Sequence, residues 1–413
     1  MTTPRRAPGG FPVVGIIGGG QLARMCAGPA AELGITLSVF AEAEDASAAL
    51  VVPSSPVGDH TVADAVHAFA QHCDVVTFDH EHVPAHVLEL LVAEGVELHP
   101  HPAALRFAQD KLAMRERLTG LGIPCPRWVR ADTTADVTAF GDAVGWPVVA
   151  KTPRGGYDGK GVRVVATADE LVDWLDRAAA DGTGLLLEER VPFRRELAAL
   201  VARSPSGQAA AWPVVETVQT DGICTEVLAP APGLDAGLSA GAVHAALRVA
   251  GELDVTGVLA VELFEVDGAY LSSRSSEGSR SSGGVRGTQP SGGFVVNELA
   301  MRPHNSGHWS MDGAVTGQFE QHLRAVLDLP LGSPRPHERW TVMANVLGGD
   351  DPRLYPAYRH VMARDPEAKV HMYGKGVRPG RKIGHVNVSG DDLDDLRERA
   401  GHAADYIQGV VTP

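Results

Sequence analysis

The sequence predicts a multidomain protein of mixed α/β and α+β class, and three observations support this prediction. Residues 1–122 alternate apolar, strand-like runs with stretches of helical spacing, which is typical of a doubly wound parallel sheet. Residues 148–164 contain two valine-rich runs joined by a glycine-rich turn, and the Ser- and Gly-rich residues 272–293 separate two further apolar runs. We therefore expect an N-terminal α/β domain, a central α+β region and a small C-terminal domain.

Composition and charge narrow the classes of function. The 413 residues suffice for about two to three domains of ordinary size. A hydrophobic content of 44% and a charged content of 21% are typical of a globular enzyme rather than a disordered chain. The net charge of −15 disfavours nonspecific binding to nucleic acids or anionic membranes. An anionic substrate must therefore meet local clusters of positive charge.

The cysteines show neither a disulfide framework nor a zinc pattern, because Cys-x-x-Cys pairs and matching histidine spacings do not occur. They are Cys26, Cys73, Cys125 and Cys224. We interpret them as free thiols in a reducing compartment. Glycines interrupt the apolar segment after Arg5 and Arg6, and no apolar run approaches the roughly 20 residues of a membrane helix. The sequence therefore predicts a cytoplasmic protein without a secretory signal or a membrane segment.

The N-terminal domain is expected to contain three parallel strands and their connecting helices. The predicted strands are 11–17, 35–40 and 74–78, and the predicted helices include 62–70, 84–94 and one that starts at Gln21 and is kinked or shortened by Pro29. The turn at residues 18–21 can place a phosphate at a helix N-terminus. Asp79 and Glu81 follow the third strand, at the sheet edge where ligands bind, although a solvated loop carboxylate is equally compatible with the pattern.

Residues 102–121 have the pattern of one helix, which carries Arg106 and Lys111. The Gly- and Pro-rich residues 122–126 end this helix, and we place a domain junction there. By position alone, the two basic residues are surface charges.

The glycine-rich turn holds four glycines within residues 155–161, next to Lys151, Arg154, Asp158 and Lys160. Glycine can adopt positive φ, so successive backbone N–H groups can point into one concavity that suits phosphate. An ordinary hairpin turn is the alternative. The segment has no P-loop motif, and a strand rather than a helix follows it, so it is not a dinucleotide-binding turn.

Further strands are predicted at 185–189, 196–203 and within 208–218, with a turn at Asp221 and Gly222 and a helix at 238–253. A strand that runs into a linker can offer backbone N–H and C=O groups to an adenine edge, and Glu196 can accept hydrogen bonds from ribose hydroxyls. By the residues alone, Glu196 is a surface residue.

The apolar runs 258–264 and 294–299 each contain one acidic residue, Glu262 and Glu298. In an antiparallel hairpin centred near residue 280, these two carboxylates face each other. Directly opposed like charges destabilise a sheet, whereas a Mg²⁺ between the carboxylates would relieve the repulsion. We therefore predict a metal site at this pair.

Two more segments are rich in groups that bind anions. Arg302 can take a small carboxylate-like anion bidentately, and His304 and Asn305 can add directional hydrogen bonds, although a structural loop would look similar. After a helix at 315–327 and a strand at 341–347, a basic turn follows. It contains Lys375, Arg378, Arg381 and Lys382. In an acidic chain this turn predicts a local anion site, and a solvated basic turn is the alternative.

Together these segments resemble the N5-carboxyaminoimidazole ribonucleotide synthase family of ATP-grasp ligases, which includes the ATPase subunit of phosphoribosylaminoimidazole carboxylase. Lys151 and the Gly-Gly-Tyr-Asp-Gly loop resemble the family's nucleotide loop. The other matching segments are 18–25, 297–300, 302–309 and 377–385. The last two are the most specific, and the similarity spans nearly the whole chain.

The resemblance implies a domain organisation and a reaction. It implies a Rossmann-like pre-ATP-grasp domain at 1–122, an ATP-grasp domain of two α+β lobes at 123–330 and a small domain at 331–413. The lid lobe is expected at residues 123–190, and the insertion at 272–293 is expected to be disordered. The implied reaction carboxylates 5-aminoimidazole ribonucleotide with ATP and bicarbonate through carboxyphosphate, in purine biosynthesis.

The resemblance also implies roles for individual residues. Predicted catalytic residues, which hold bicarbonate or the ribotide amine, are Tyr157, Asp158, Arg302, His304 and Asn305. Predicted ATP-binding residues are Arg106, Lys111, Lys151, Gly155, Gly156, Gly159, Lys160, Gly161, Glu188, Glu189, Val191, Glu196, Asn297 and Glu298. Predicted ribotide-binding residues are Gly20, Gln21, Glu81, Tyr157, Asp158, Lys375, Arg378, Arg381 and Lys382. Glu262 and Glu298 would hold Mg²⁺. Gln219, where many relatives carry His, stays outside the predicted ATP site.

The expected partners are small molecules and a second copy of the chain as a homodimer, with the product passed to a separate mutase. One alternative is another ATP-grasp carboxylase or ligase, similar to biotin carboxylase or to a formate-using ribotide transformylase. A NAD-binding oxidoreductase is disfavoured because Gly-x-Gly-x-x-Gly is absent from the sequence. A noncatalytic ATP-binding regulator would lack the two metal carboxylates.

Overall fold

Three β-sheets organise the molecule. The computed structural model describes residue 4 and residues 6–156, 161–275 and 292–411. Tyr157, Asp158, Gly159 and Lys160 of the predicted site, and residues 276–291 of the predicted insertion, lie outside the described residues. Within the described ranges, no helix is long and apolar enough to cross a membrane.

The first sheet is parallel, with the strand order β2-β1-β3, and it confirms the predicted N-terminal α/β domain. The elements of this part are β1 (Val13–Ile17), α1 (Gln21–Met25), α2 (Ala27–Glu32), β2 (Thr36–Phe40), α3 (Ala63–Ala70), β3 (Val75–Phe78), α4 (Ala85–Ala93), α5 (Pro102–Gln109) and α6 (Lys111–Gly120). All residues of the central strand β1 are buried, because neighbouring strands and helices cover it on every side. The helix predicted from Gln21 is two short helices, and Pro29 lies in the first turn of α2, where a missing N–H costs no intrahelical hydrogen bond.

The single helix predicted at 102–121 is also two helices. Asp110 separates them, because it adopts an extended conformation with φ −131° and ψ 108°. Its carboxylate caps α6 by accepting hydrogen bonds from the backbone N–H groups of Leu112 at 3.0 Å and Ala113 at 3.1 Å. Lys111 therefore begins a new helix, and Arg115, four residues later, lies on the same face of it.

The second sheet is antiparallel, with the strand order β4-β7-β5-β6. Its elements are β4 (Trp128–Ala131), α7 (Thr134–Val144), β5 (Val148–Lys151), β6 (Val162–Val165), a 3₁₀ turn at Ala168–Leu171, α8 (Val172–Asp181) and β7 (Leu185–Glu189). The predicted pair of strands around the glycine-rich turn is confirmed, since Lys151 at the end of β5 lies opposite Val162 at the start of β6.

The third sheet has nine strands, and its continuous order is β13-β12-β8-β10-β11-β14-β16-β15 with β9 beside β8. Its strands are β8 (Arg195–Arg203), β9 (Ala209–Ala211), β10 (Val215–Thr220), β11 (Ile223–Ala229), β12 (Gly257–Asp267), β13 (Gly292–Ala300), β14 (Trp340–Leu347), β15 (Lys369–Met372) and β16 (Lys382–Gly390). The helices of this part are α9 (Ala236–Glu252), α10 (Gly268–Ser275), α11 (Ser310–Gly313), α12 (Gln318–Val326), α13 (Ala357–Arg364) and α14 (Leu393–Gln408). The strands of the predicted C-terminal domain extend the central sheet through the β11–β14 pairing.

The hairpin formed by β12 and β13 confirms the predicted register, because Glu262 pairs directly with Glu298. The region predicted as disordered, 272–293, is too wide at both ends. Residues 272–275 belong to α10 and residues 292–293 belong to β13. The reason is apolar packing at the base of the insertion, where Tyr270 and Leu271 cover Val266 and Val295.

His322 of α12 joins the first sheet to the nine-stranded sheet. Its Nδ1 accepts a hydrogen bond from the backbone N–H of Val258 at 3.1 Å, so neutral His322 carries its proton on Nε2 and donates it to Thr77 Oγ1 at 2.9 Å. Burial of the ring lowers the pKa of His322 from 6.5 to about 3. This histidine therefore stays neutral in the folded protein.

We expect His322→Gln to lower the melting temperature at about pH 7.5. We also expect the melting temperature of this variant to fall less than that of the wild type when the pH is decreased. Below pH 6.5 the unfolded chain takes up a proton at His322, whereas the folded chain resists protonation until about pH 3, so wild-type stability falls as pH decreases through that window. Melting curves at about pH 7.5 and about pH 5 measure the effect. His86→Gln, on an exposed histidine, is the control. Equal acid sensitivity in wild type and His322→Gln would contradict the prediction.

Candidate active site

Two cavities meet in a cleft lined by all three parts of the chain. Their volumes are about 770 Å³ and about 620 Å³. Five residues line both cavities, namely Glu262, Glu298, His304, Asn305 and Lys382. Sequence reasoning assigned these residues to the metal, the bicarbonate and the ribotide. The structure therefore brings the three predicted groups together at one junction.

The remaining predicted residues divide between the cavities. The first cavity is also lined by Gln21, Glu81, Arg106, Lys111, Gly155, Gly156 and Arg302. The second cavity is also lined by Lys151, Glu188, Glu189, Val191, Glu196 and Asn297. Of the described residues in the predicted set, Gly20, Gly161, Lys375, Arg378 and Arg381 line neither of the two.

Arg106 lines the first cavity together with Lys111, Gly155 and Gly156 of the predicted ATP-binding set, whereas Lys151 lines the second. The break at Asp110 explains this position, because Arg106 belongs to α5 and does not continue along the axis of α6. Lys111, at the start of α6, instead pairs with Glu298 at the junction.

The side chains of Glu188 and Glu189, two predicted ATP-binding residues in β7, are engaged by other protein groups. Glu188 is buried and pairs with Arg115 and with Lys151 Nζ at 2.7 Å. Burial alone would raise the pKa of Glu188, but the charges of Arg115 and Lys151 lower it to about 2. Glu189 accepts hydrogen bonds from Arg127 Nε at 2.9 Å and from the Tyr270 hydroxyl at 2.7 Å. Both carboxylates are therefore already paired with protein groups.

An apolar slot completes the second cavity. The rings of Phe193 and Phe264 stack at a centroid distance of 4.5 Å and an angle of 11°, and Val149, Val162 and Val164 also line the cavity. Such a slot suits a flat aromatic ligand. Sequence reasoning missed the two phenylalanines, although Phe264 follows Glu262 by two residues in β12 and so lies on the same face.

Glu196 lines this cavity, and its pKa is raised above the ordinary value. Burial, reinforced by the charge of Glu262, raises the pKa of Glu196 to about 7, although a hydrogen bond from Gln219 opposes the shift. Gln219 therefore contacts the predicted ribose-binding carboxylate, and it also lines the second cavity.

The opposed carboxylates at the junction each have a cationic or hydrogen-bonding partner. Lys111 pairs with Glu298, and His304 Nε2 lies 3.1 Å from Glu262 Oε1. Burial would raise the pKa of Glu262, but the hydrogen bond and charge of His304 lower it overall. Lys111 and His304 therefore offset part of the repulsion between the two carboxylates, which we had expected Mg²⁺ alone to relieve.

The donor set nevertheless fits Mg²⁺, because two carboxylates supply the oxygen ligands that this ion prefers. Within the described ranges, no group of three or more His, Cys, Asp or Glu side chains is placed to hold a metal ion. Phosphate oxygens and water would have to complete the coordination of Mg²⁺, as is usual at nucleotide sites.

The loop after β13 is held from both sides of the cleft. Arg302 Nε donates to Glu81 Oε2 at 2.8 Å, which pairs a predicted bicarbonate ligand with a predicted ribotide ligand. Asn305 and Asn345 of β14 exchange two amide hydrogen bonds, at 3.0 and 2.9 Å. The side-chain amide of Asn305 therefore binds Asn345 in this structure.

The predicted phosphate turn at residues 18–21 already binds carboxylates. The backbone N–H of Gly19 donates to Glu42 Oε2 at 3.1 Å, and that of Ala23 donates to Asp79 Oδ1 at 2.8 Å. A Cβ at Gly20 would lie 2.0 Å from Asp79 Oδ2, so glycine is needed there for this close approach. Carboxylates of the protein thus already use two of the backbone N–H groups that could bind an anion at this helix N-terminus.

The basic turn does not act as one cluster. Lys382, at the start of β16, reaches the junction of the cavities. Lys375 contacts Gln21, and Arg381 Nη1 donates to the Gly376 carbonyl at 3.1 Å. The backbone of Arg378 packs against Gly348.

Three domain families match the chain: the ribonucleotide synthetase preATP-grasp domain at residues 12–109, the ATP-grasp domain at 116–319 and the phosphoribosylaminoimidazole carboxylase C-terminal domain at 341–399. The N5-carboxyaminoimidazole ribonucleotide synthase of Mycobacterium tuberculosis is 50% identical over 96% of this chain and 88% of its own length. The chain belongs to the N5-carboxyaminoimidazole ribonucleotide synthase family.

Solved structures of this family share the fold. The enzyme of Thermus thermophilus is 36% identical, with a TM-score of 0.79 over 97% of this chain and 99% of that chain. The enzyme of Aspergillus clavatus, solved in complex with ADP and 5-aminoimidazole ribonucleotide, is 29% identical, with a TM-score of 0.81 over the same shares. The fold class predicted for an ATP-grasp enzyme of this family is thus confirmed.

We expect Glu196→Gln to raise the melting temperature more at about pH 8.5 than at about pH 5. The folded pKa of about 7 exceeds the ordinary 4.5, so the stability that protonated Glu196 contributes is complete below pH 4.5 and is lost as pH rises through 7. Glutamine has no charge to bury and removes this loss. Glu32→Gln, on the exposed end of α2, is the control. A melting-temperature difference that does not change with pH would contradict the raised pKa.

Proposed function

We propose that this protein carboxylates the amino group of 5-aminoimidazole ribonucleotide with ATP and bicarbonate, giving N5-carboxyaminoimidazole ribonucleotide, ADP and phosphate. The observation that carries the proposal is the junction of the two cavities at Glu262, Glu298 and Lys382. A nucleotide in the second cavity and a ribotide in the first would present their reactive ends to each other there. The names of the relatives and the ligands of the Aspergillus clavatus structure support the same assignment.

The reaction has two steps, phosphoryl transfer to bicarbonate and carboxylation of the amine, and water must be kept from the reacting groups in both. A bicarbonate oxygen attacks the γ-phosphorus of ATP, the bond to the ADP oxygen breaks, and carboxyphosphate forms. Carboxyphosphate breaks down to carbon dioxide and phosphate, and the amine nitrogen of the ribotide then attacks the carbon dioxide and loses a proton. Because carboxyphosphate hydrolyses readily, the junction must be closed to bulk solvent during this sequence.

The second cavity supplies groups that bind the nucleotide. The slot of Phe193 and Phe264 covers the base, Glu196 accepts hydrogen bonds from the ribose, and Lys151 neutralises phosphate charge. Glu262 and Glu298 would hold Mg²⁺, which would neutralise further phosphate charge when bound. Phosphoryl transfer depends mostly on such positioning and charge neutralisation.

The first cavity supplies groups for the other two substrates. Arg302 and His304 hold bicarbonate beside the γ-phosphate, and Glu81 accepts hydrogen bonds from the ribotide. Lys382 places positive charge where the two substrates meet. The lid function of residues 155–161 and the roles of Tyr157 and Asp158 stay predictions, because the residues that decide them lie outside the described ranges.

Other features remain proposals that rest on the family resemblance. They are the domain limits at 1–122, 123–330 and 331–413, a homodimer, the cytoplasmic location and transfer of the product to a separate mutase.

The amounts of ADP and carboxylated ribotide that the protein forms test the proposed function. Purified protein with ATP and Mg²⁺ is assayed for ADP with bicarbonate alone, with the ribotide alone and with both, and the carboxylated ribotide is quantified in the same samples. We expect ADP and carboxylated ribotide in equal amounts when both substrates are present. Turnover with formate or biotin instead would overturn the proposal in favour of another ATP-grasp ligase.

We expect Glu298→Gln to keep the fold and to lower kcat by about 10²–10³-fold, because a carboxylate that would hold Mg²⁺ beside the phosphates becomes a neutral amide at constant side-chain volume. Steady-state kinetics and a melting curve measure the two properties. Glu89→Gln, on the exposed face of α4, is the matched control and should match the wild type. A kcat within about twofold of wild type in the folded Glu298→Gln variant would contradict the role.

A further inference from the structure

Arg115 carries a guanidinium that is fully buried, at 0% side-chain exposure, and that no step described above uses. It lies in the middle of α6, four residues after Lys111, on the same face of the helix. Among the described residues that line the two cavities, Arg115 is absent. A buried charge is costly unless it is paired, so its partners indicate why the chain retains it.

The guanidinium joins three elements of the molecule. Its Nε pairs with Glu188 at the end of β7, and its Nη2 donates to the Asn297 carbonyl of β13 at 2.5 Å. Its Nη1 lies 3.9 Å from the sulfur of Cys125 in the segment between the first two sheets. Arginine presents donors on three separate nitrogens of a planar fork, whereas the donors of lysine all share one nitrogen, so arginine suits partners that lie this far apart.

Two of the partners of Arg115, Glu188 and Asn297, also bind Lys151. The second oxygen of Glu188 lies 2.7 Å from Lys151 Nζ, and the side-chain oxygen of Asn297 accepts a hydrogen bond from the same ammonium at 3.0 Å. Arg115, Glu188, Lys151 and Asn297 therefore form one closed cluster. It contains two positive charges and one negative charge, and of the two cations only Lys151 lines the second cavity. Glu188 also lines that cavity, and the buried Arg115 pairs with it from behind.

The Asn297 carbonyl is available to Arg115 because of a bulge in β13. Glu298 pairs with Glu262 and Val296 pairs with Leu263, which leaves Asn297 as the extra residue of the strand. The bulge directs the Asn297 carbonyl toward α6 and its side chain toward Lys151. It also brings Glu298 into register with Glu262.

We propose that Arg115 is a positioning residue that orients Lys151, through Glu188, and the Asn297 bulge for binding of the nucleotide phosphates. The proposal rests on the proposed function, since it assumes that Lys151 meets a phosphate. Without Arg115, Glu188 has Lys151 as its remaining strong partner and draws the ammonium away from the cavity. The bulge loses the donor that holds its carbonyl. Nucleotide affinity should therefore fall while ribotide affinity is retained.

The first test compares Arg115→Lys with Arg117→Lys, on the exposed part of the same helix. For Arg115→Lys we expect the KM for ATP to rise about tenfold and the KM for the ribotide to stay within about twofold of wild type. For Arg117→Lys we expect both values to match the wild type. Equal changes in both KM values, or no change in either, would overturn the positioning role.

A double-mutant cycle with Lys151→Met separates a positioning role from a merely structural one, because only a positioning residue loses its effect on kcat/KM for ATP when Lys151 is absent. If Arg115 acts through Lys151, adding Arg115→Lys to Lys151→Met changes kcat/KM for ATP by less than about twofold. Losses that multiply across the two positions would overturn the proposal. If Arg115→Lys does not fold, Glu188→Gln tests the same link at constant volume and should show the same split between the two substrates.

Direct binding of ADP, measured by calorimetry, separates failure of this inference from failure of the proposed function. If the wild type shows no ribotide-dependent turnover, the proposed function fails. A tenfold weaker affinity of the Arg115→Lys variant for ADP, with the Arg117→Lys variant unchanged, would still support the positioning role. Unchanged ADP affinity in the Arg115→Lys variant would overturn it.

Discussion

Two glutamates that face each other across an antiparallel ladder constrain much of this structure. Glu262 and Glu298 lie in register near one edge of the nine-stranded sheet, and directly opposed like charges cost free energy. The chain meets this cost with groups from separate elements, Lys111 from α6 and His304 from the loop after β13. An acidic chain thus concentrates cationic groups where two cavities meet. The same concentration suits phosphate and bicarbonate.

Polar pairs around the site also tie the three parts of the molecule together. Arg302 reaches Glu81 of the N-terminal part, and Asn305 exchanges amide hydrogen bonds with Asn345 of the C-terminal part. His322 adds a neutral link between the first sheet and β12. Each pair is at least partly buried, so breaking it would leave polar groups that water can hydrate only in part. The architecture of the cleft and the geometry of the site are therefore interdependent.

The glycine turn before α1 shows how internal groups can occupy a motif that is associated with anions. The backbone N–H of Gly19 donates to Glu42, and that of Ala23, in the first turn of the helix, donates to Asp79. Basic side chains, above all Lys382 at the cavity junction, are consequently better placed to meet an anionic substrate than the backbone of this turn. The glycines remain necessary, because Asp79 packs directly against Gly20.

The sequence by itself determined the features that depend on local periodicity and symmetric spacing. Apolar patterns within single segments predicted the parallel strands of the N-terminal part and the paired strands around the glycine-rich turn. The symmetric spacing of two apolar runs about one hairpin centre predicted the register of Glu262 with Glu298. Family membership was likewise readable from short segments such as 302–309, and the comparisons confirm it. Only the tertiary structure decided which residues partner the buried charges. Arg115 meets Glu188 and Asn297, which are far away in sequence, and the C-terminal strands join the central sheet through long-range pairing. Local patterns encode which face of an element is buried, whereas packing between distant segments selects the partner of each buried charge.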